Sequence, residues 1–310
     1  MLYRYASPDY LKDVSSIITQ LIDGNLTPEL ERQVAASYAH VMQGRQRVHN
    51  DSQLWADNSR SLLAQMQSLL AQDIRQRSGG AYRSGSLDNF FTQVARSDAG
   101  EAYRMSDEYH VYSNLIDQYI SAADDILVEH RRRQGVCDFW FAYGYADFLS
   151  DQEFIPRFRV RTDIVAASGD VPPRAGVYIS IDDPNAALQF AWPDNDRGML
   201  TDCCTFNEIG LAALADAGRD ALWFDQNKMA DFFQSNGLKT PFGEQFPVSY
   251  STIPGFVQIE SKARRPCEWH FVEIEEENFE YTAMEWHRDL VSQPGQGRLA
   301  AGDACEIEGI

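Results

Sequence analysis

The sequence predicts an α+β fold, in which a helical first half is followed by a mixed half with a mainly antiparallel sheet. In residues 1–150, apolar residues recur every three or four positions, as they do along one face of a helix. From about residue 156, short alternating segments separated by turn residues replace that spacing, which is typical of strands. The polar segment at 150–156 ends in proline, so we expect a helical lobe at 1–150 and an α+β lobe at 151–310, packed as one unit.

The helices of the first half have clear start and stop signals. Residues 7–9 (Ser-Pro-Asp) provide an N-cap residue, a proline at the first helical position and an acid in the first turn, and residues 27–29 (Thr-Pro-Glu) repeat this signal. Asp51 predicts the start of a third helix, which ends at the glycines 79 and 80. The best-patterned segment, 106–133, predicts a helix that ends in three arginines, which suit the negative end of the helix dipole.

The second half alternates between strand and helix signals. Helical spacing returns twice, at Thr205–Ala217 and Asn227–Gln234. Strands are predicted around Phe158–Val165 and at 176–181, 187–192, 255–261 and 269–275.

The charge of the chain is unevenly distributed. Its 310 residues have a net charge of -19, of which -14 lies in residues 151–310 and -5 in residues 1–150. A field of that sign repels nucleic acid and anionic lipid and attracts cationic partners. The alternative interpretation is that the acidic surface only maintains solubility.

The sequence also indicates a compartment. No basic start followed by an apolar run is visible, and no apolar stretch reaches about 18 residues, so we expect neither a secretory signal nor a membrane span. The five cysteines are odd in number, and Cys203 and Cys204 are adjacent. Adjacent cysteines rarely satisfy disulfide geometry, so we expect free thiols in a reducing cytoplasm.

Complete catalytic signatures are missing from the sequence. The phosphate-binding loop, the dinucleotide-binding glycine motif, the two-histidine zinc motif and the nucleophile elbow are all absent. We therefore expect no enzyme activity, no catalytic residues and no cofactor. Cys267 and His270 could supply two zinc ligands, but a closed site needs two more, so no metal is expected. In the alternative interpretation, Cys267 is a small buried residue and His270 lies in a strand.

Two groups of acids are the candidate partner-binding residues. Asp182 and Asp183 precede Pro184 in the turn between two predicted strands, where acids serve either as ligands or as ordinary turn residues. In the late acidic run, Glu273, Glu275 and Glu277 alternate along a predicted strand, which would make one of its faces acidic. The full candidate set is Asp182, Asp183, Glu273, Glu275, Glu276 and Glu277.

The segment Arg174–Asp225 carries a more specific pattern. It combines a Gly-x-Tyr strand at 176–178, an Asp-Asp-Pro turn at 182–184, a Gln-Phe-Ala-Trp strand at 189–192, a Thr-Phe-Asn-x-x-Gly helix start at 205–210 and Gly-Arg-Asp-x-Leu-Trp-x-Asp at 218–225. This pattern resembles bacterial polymorphic-toxin immunity proteins, specifically the predicted immunity families 71 and 72. The closing residues, 297–310, also resemble the end of those families, with glycines on both sides of Cys305.

The resemblance implies a cytoplasmic protein that binds and neutralises the toxic domain of a cognate effector from a type VI or other polymorphic toxin system. Inhibition would be steric, through an acidic surface that covers a basic toxin. The resemblance supplies no catalytic residues. Two other hypotheses stay open, namely an enzyme that reverses a toxin's modification and a non-catalytic regulatory adaptor.

The large aromatic residues of the matched segment should belong to the core, which would place the toxin-binding surface elsewhere. They are Tyr178, Phe190, Trp192 and Trp223.

Overall fold

The fold is α+β, as the sequence predicts. The described part of the N-terminal half contains helices, the described strands lie in the second half, and every strand pair described is antiparallel. The computed structural model describes residues 2–42, 52–83, 107–127, 156–219, 221–223, 225–238, 253–275 and 306–307. The chain divides into two compact units, Leu2–Val128 and Glu129–Ile310. Nearly all of the predicted junction at 150–156 lies outside the described residues, so its position stays a prediction.

The described part of the first unit consists of helices. These are α1 (Leu2–Ala6), α2 (Pro8–Asp23), α3 (Pro28–Met42), α4 (Ser52–Ser78) and α5 (Asp107–Asp125).

Both proline-containing helix starts are confirmed. The Ser7 hydroxyl accepts a hydrogen bond from Tyr10 N at 3.1 Å, and Thr27 Oγ1 accepts one from Leu30 N at 3.3 Å, so each side chain satisfies an otherwise free backbone donor. Helix α2 ends at Gly24, whose positive φ of 71° suits glycine.

The helical core also contains a buried cation. Arg77, near the end of α4, is only 3% exposed. Its guanidinium donates to the backbone oxygens of Tyr5 at 2.9 Å and Ala123 at 3.3 Å, which lie near the C-terminal ends of α1 and α5. Carbonyl oxygens in the last turn of a helix lack hydrogen-bond donors within that helix. The Arg77 side chain supplies such donors to α1 and α5, and so joins both helices to α4.

Helix α5 ends earlier than the sequence predicts. The apolar spacing suggests a helix that continues to Arg133, but the helix stops at Asp125, and Ile126 and Leu127 form a buried turn. Residues 128–133 of the prediction lie outside the described residues. Near this end, the Ala123 oxygen accepts a hydrogen bond from Arg77 Nη2, so a side chain 46 residues away supplies a donor to the last turn of the helix.

The second unit contains two sheets and three described helices. The strands are β1 (Arg157–Ala167), β2 (Gly176–Ile179), β3 (Gln189–Ala191), β4 (Cys203–Phe206), β5 (Lys262–Arg265), β6 (Glu268–Glu275) and β7 (Glu306–Ile307). The helices are α6 (Glu208–Ala217), α7 (Gln226–Ser235) and α8 (Ile253–Glu260). One sheet has the order β3-β2-β6-β1-β7, and β4 and β5 form the other.

Several strand predictions are confirmed, and one is wrong. Residues 255–261 are predicted as a strand, but most of them belong to α8. Pro254 is tolerated in the first turn of that helix, and Ile253 and Val257 are buried one turn apart, which is helical spacing. The short strands β5 and β7 are absent from the prediction, because segments of two to four residues carry little periodic signal. Residues 205–206, predicted as the start of the helix at Thr205–Ala217, belong instead to strand β4, and the helix begins at Glu208.

Candidate partner-binding surface

The Asp182–Asp183 turn contains one exposed and one buried carboxylate. Asp182 is exposed, whereas Asp183 is 6% exposed and forms an ion pair with Arg265 of β5. The Asp183 carboxylate also accepts from Asn185 N at 2.9 Å and from the Thr205 side chain. Asp183 thus fastens the turn to the β4–β5 sheet, so of the two acids only Asp182 presents its side chain to solvent.

The hydrogen bonds of Asp183 determine its ionisation. Burial alone would favour the neutral acid, but the bonds from Thr205 and Asn185 and the Arg265 charge outweigh it and hold the pKa of Asp183 below its ordinary value. A second contact fixes the same turn from outside, since Arg219 Nη2 donates to Asn185 Oδ1 at 2.6 Å.

Glu273 of β6 lies among arginines. Its two carboxylate oxygens each lie 3.0 Å from Arg161 Nη1, and Arg174 Nη1 is 3.7 Å from Oε1. The antiparallel register places Arg159 directly opposite Glu273, and Arg157 opposite Glu275. Facing residues of an antiparallel pair share one side of the sheet, so this face is mixed in charge rather than wholly acidic.

Arg161 connects this face to a third carboxylate. Its Nε and Nη2 donate to the two oxygens of Asp163 at 2.8 and 2.6 Å, a bidentate pair that lowers the pKa of Asp163 to about 2. Within the late acidic run, Glu273 is therefore already paired and Glu275 faces an arginine. Glu276 and Glu277 lie outside the described residues, and a partner-binding role for any of these acids stays a prediction.

The aromatic residues of the matched segment form the core, as predicted. Tyr178 is fully buried, and Phe190, Trp192 and Trp223 are nearly so. The Tyr178 hydroxyl donates to Arg174 O at 2.8 Å, so its polar tip is satisfied inside the unit.

The helix start at 205–210 is a structural joint. Asn207 Oδ1 accepts from Gly210 N at 2.9 Å and caps α6, while its Nδ2 donates to Glu260 O at 2.7 Å at the end of α8. A Cβ at Gly210 would lie 2.4 Å from Ser261 O, so only glycine lets α6 approach so closely. Both residues hold the scaffold, in agreement with their predicted role at a helix start.

Three predicted free thiols are confirmed, and Cys137 and Cys305 lie outside the described residues. Burial and the neighbouring Cys203 raise the pKa of the Cys267 thiol to about 12, so it stays protonated at neutral pH. Cys267 packs on the cluster that contains Trp269, whereas His270, the next residue along β6, points to the opposite face. Strand alternation therefore separates the two side chains considered as zinc ligands, and His270 Nε2 instead lies 3.0 Å from Glu268 Oε1.

The described residues contain no group of three or more His, Cys, Asp or Glu side chains that could hold a metal ion. Among the helices in the same ranges, none has the length and apolarity needed to cross a membrane.

A surface groove lies between α6 and α7. It has a volume of about 450 Å³ and is lined by Asp216, Lys228, Asp231, Phe232, Ser235 and Asn236. Lys228 Nζ donates to Ala217 O at 3.1 Å, so its charge rests on the carbonyl end of α6. The two carboxylates of the groove are exposed, so it can accept a cationic group.

The sequence prediction missed the arginines that pair with its candidate acids. A signal for them exists in the alternation of Arg157, Arg159 and Arg161, which matches the alternation of Glu273 and Glu275 in the strand that pairs with it. Two strands with opposite charges at the same period are natural antiparallel neighbours.

Comparison with family models, curated proteins and solved structures finds no match to this chain. The resemblance to the immunity families 71 and 72 therefore stays a prediction.

Proposed function

We propose that this chain is an immunity protein that binds the toxic domain of a secreted bacterial effector and neutralises it by steric occlusion. The observation that carries the proposal is the sequence pattern of Arg174–Asp225. Its positions Asp183, Asn207 and Gly210 fix a turn and a helix in place, which supports a rigid scaffold for binding. A preorganised surface suits an inhibitor, because little conformational entropy is lost when the complex forms.

The charge of the second half supports a basic partner. With -14 in residues 151–310, the chain attracts a positively charged domain and repels nucleic acid. Toxic domains that act on anionic substrates, such as nucleases and nucleotide-modifying enzymes, need basic clefts. An acidic inhibitor that covers such a cleft would block substrate without any chemistry of its own.

The proposal is tested by co-expression with the toxic domain encoded beside this gene. We expect growth of susceptible cells to be restored and a stable complex to elute from gel filtration. A toxic domain of similar charge from an unrelated effector is the control and should not be neutralised. Absence of both rescue and complex would refute the proposal.

The stoichiometry separates binding from the enzymatic alternative. A steric inhibitor must be present in at least equimolar amount. Addition of the purified chain to the toxic domain should therefore abolish the toxic activity near a molar ratio of one chain per toxic domain. An enzyme that reverses a toxin's modification would restore the substrate at much lower ratios, with the toxin still active.

A further inference from the structure

Helix α6 exposes apolar residues on its outer side. Its inner side packs on the core through Gly210, Ala213 and Ala217. The outer side, which we name the α6 face, comprises Glu208, Leu211, Ala212, Ala215 and Asp216, all exposed. Surface helices normally turn polar residues toward solvent, whereas here a leucine and two alanines lie between two acids.

The α6 face is fixed at both ends. Asn207 caps its start and ties it to Glu260 O, and Gly210 seats it against Ser261 O. At the other end, Gly218 N donates to Leu214 O and Lys228 Nζ donates to Ala217 O. The exposed side chains therefore stand on an immobilised helix and not on a loop, which lowers the entropic cost of docking.

A second exposed apolar residue belongs to the helix that Asn207 joins to α6. Ile259 of α8 is 61% exposed and precedes Glu260, whose carbonyl Asn207 binds. Leu211 is 48% exposed and lies one helical turn after Asn207. Asn207 thus joins the two helix ends that carry these exposed apolar side chains.

The groove adds a net negative charge beside the face, because its two carboxylates outnumber the Lys228 ammonium group. Asp216 belongs both to the α6 face and to the groove, and Asp231 lines the same groove from α7. Exposed apolar groups rimmed by charge are typical of protein-binding surfaces.

We propose that the α6 face and the adjoining groove dock a partner segment that presents an apolar side chain flanked by arginine or lysine. The apolar side chain would cover Leu211, Ala212 and Ala215, and the cation would enter the groove between Asp216 and Asp231. The proposal rests on the proposed function in taking the toxic domain as this partner. A second copy of the chain is disfavoured as occupant, because each copy has a net charge of -19.

The test compares two exposed apolar residues. Leu211 on the α6 face is 48% exposed and Val171, in the loop after β1, is 38% exposed, so Leu211→Arg and Val171→Arg introduce the same charge at similar cost to folding. Calorimetric titration with the toxic domain should give at least about thirtyfold weaker binding for Leu211→Arg, as for a central interface residue, and within about threefold of wild type for Val171→Arg. Unchanged melting temperatures establish that both variants are folded.

The groove is tested by Asp216→Asn and Asp231→Asn, which each replace a carboxylate with a neutral amide of nearly the same size. Their double variant should associate more slowly, by about fivefold or more at low salt, with a weaker dependence on salt. If Leu211→Arg and the double variant both bind as wild type does, the docking surface is wrong, although the proposed function stands.

A partner-independent measurement keeps the two proposals separate. A synthetic peptide of alternating leucine and arginine is titrated into the methyl-labelled full chain, and the methyl resonances of Leu211, Ala212 and Ala215 are followed by NMR. Selective shifts of these methyl groups in the wild-type chain, with smaller shifts of Ala212 and Ala215 in Leu211→Arg, support the surface even if the toxic domain does not bind. Shifts spread over the chain, no shifts at all, or wild-type self-association through this face would overturn it.

Discussion

Helices α2 and α6 are both capped by a polar side chain, yet they use their surfaces in opposite ways. In α2, Leu11, Val14, Ile18 and Leu21 are buried, and the exposed positions between them are polar. In α6, apolar residues lie on both sides, with Leu211 exposed. All the apolar side chains of the α2 stripe therefore serve the fold, whereas the outer side of α6 carries apolar area that the fold does not use.

The largest effect is expected in the helical unit, from removal of its buried cation. Arg77→Met should cost about 3 kcal/mol, because the backbone oxygens of Tyr5 and Ala123 lose a charged donor. The control is Arg75→Met on the exposed side of the same helix, which should change stability by about 0.5 kcal/mol or less. Hydrogen exchange resolved by peptide should show faster exchange in α1 and α5 for Arg77→Met; equal exchange in both variants would contradict the joining role of Arg77.

The second prediction concerns the close packing of α6 at Gly210 against Ser261. Gly210→Ala should destabilise the second unit by about 2–3 kcal/mol, since the new Cβ would meet Ser261 O and Phe206. Gly255 in α8 is the matched control, because a Cβ there meets nothing within 4 Å. Gly255→Ala should stabilise by about 0.5–1 kcal/mol through helix propensity. Urea unfolding followed by tryptophan fluorescence measures both, and a neutral Gly210→Ala would show that α6 is not held as described.

A smaller effect, with a definite pH dependence, is expected at Asp183. Because its folded pKa lies below the unfolded value, its ionised form contributes stability that is fully present above about pH 4 and is lost as the pH falls through the folded pKa. Asp183→Asn should cost about 2 kcal/mol at pH 7, and the difference from wild type should shrink below about pH 4. Asp182→Asn, at the exposed neighbour, should have little effect at either pH. A penalty for Asp183→Asn that does not vary with pH would contradict the ion pair with Arg265.

Local signals predicted helices α2, α3, α4 and α5 of the first unit but not the five-residue helix α1. The Ser7 and Thr27 side chains bond to backbone N–H groups only three residues further along the chain, so a short window of sequence contains the whole interaction. The end of α5 at Asp125 was not predicted, because the apolar spacing continues past it. The donor that Arg77 supplies to Ala123 comes from 46 residues away, and periodicity along one segment contains no signal of it.

The candidate acids show the same limit in the second unit. Asp183 and Arg265 are 82 residues apart, and Glu273 and Arg161 are 112 apart, so an acid that looks exposed in sequence is paired in the fold. For α6 the sequence predicted a helix but not which side faces outward, because apolar residues occupy most positions all around the helix. The buried side includes Gly210, which packs closely against Ser261 O, and Ala213 and Ala217, which belong to the core; these tertiary contacts lie outside the helix itself.

An acidic steric inhibitor is best tested by the association rate of the purified chain with its toxic domain, measured by surface plasmon resonance at low and high salt. Association should be fast at low salt and slow markedly as salt rises, since the net charge of -14 in residues 151–310 steers a basic partner. Charge reversal of Glu275, Glu276 and Glu277 to lysine should slow association about tenfold at low salt if the late acidic run contributes. A rate that does not change with salt, or no binding at all, would contradict an acidic steric inhibitor.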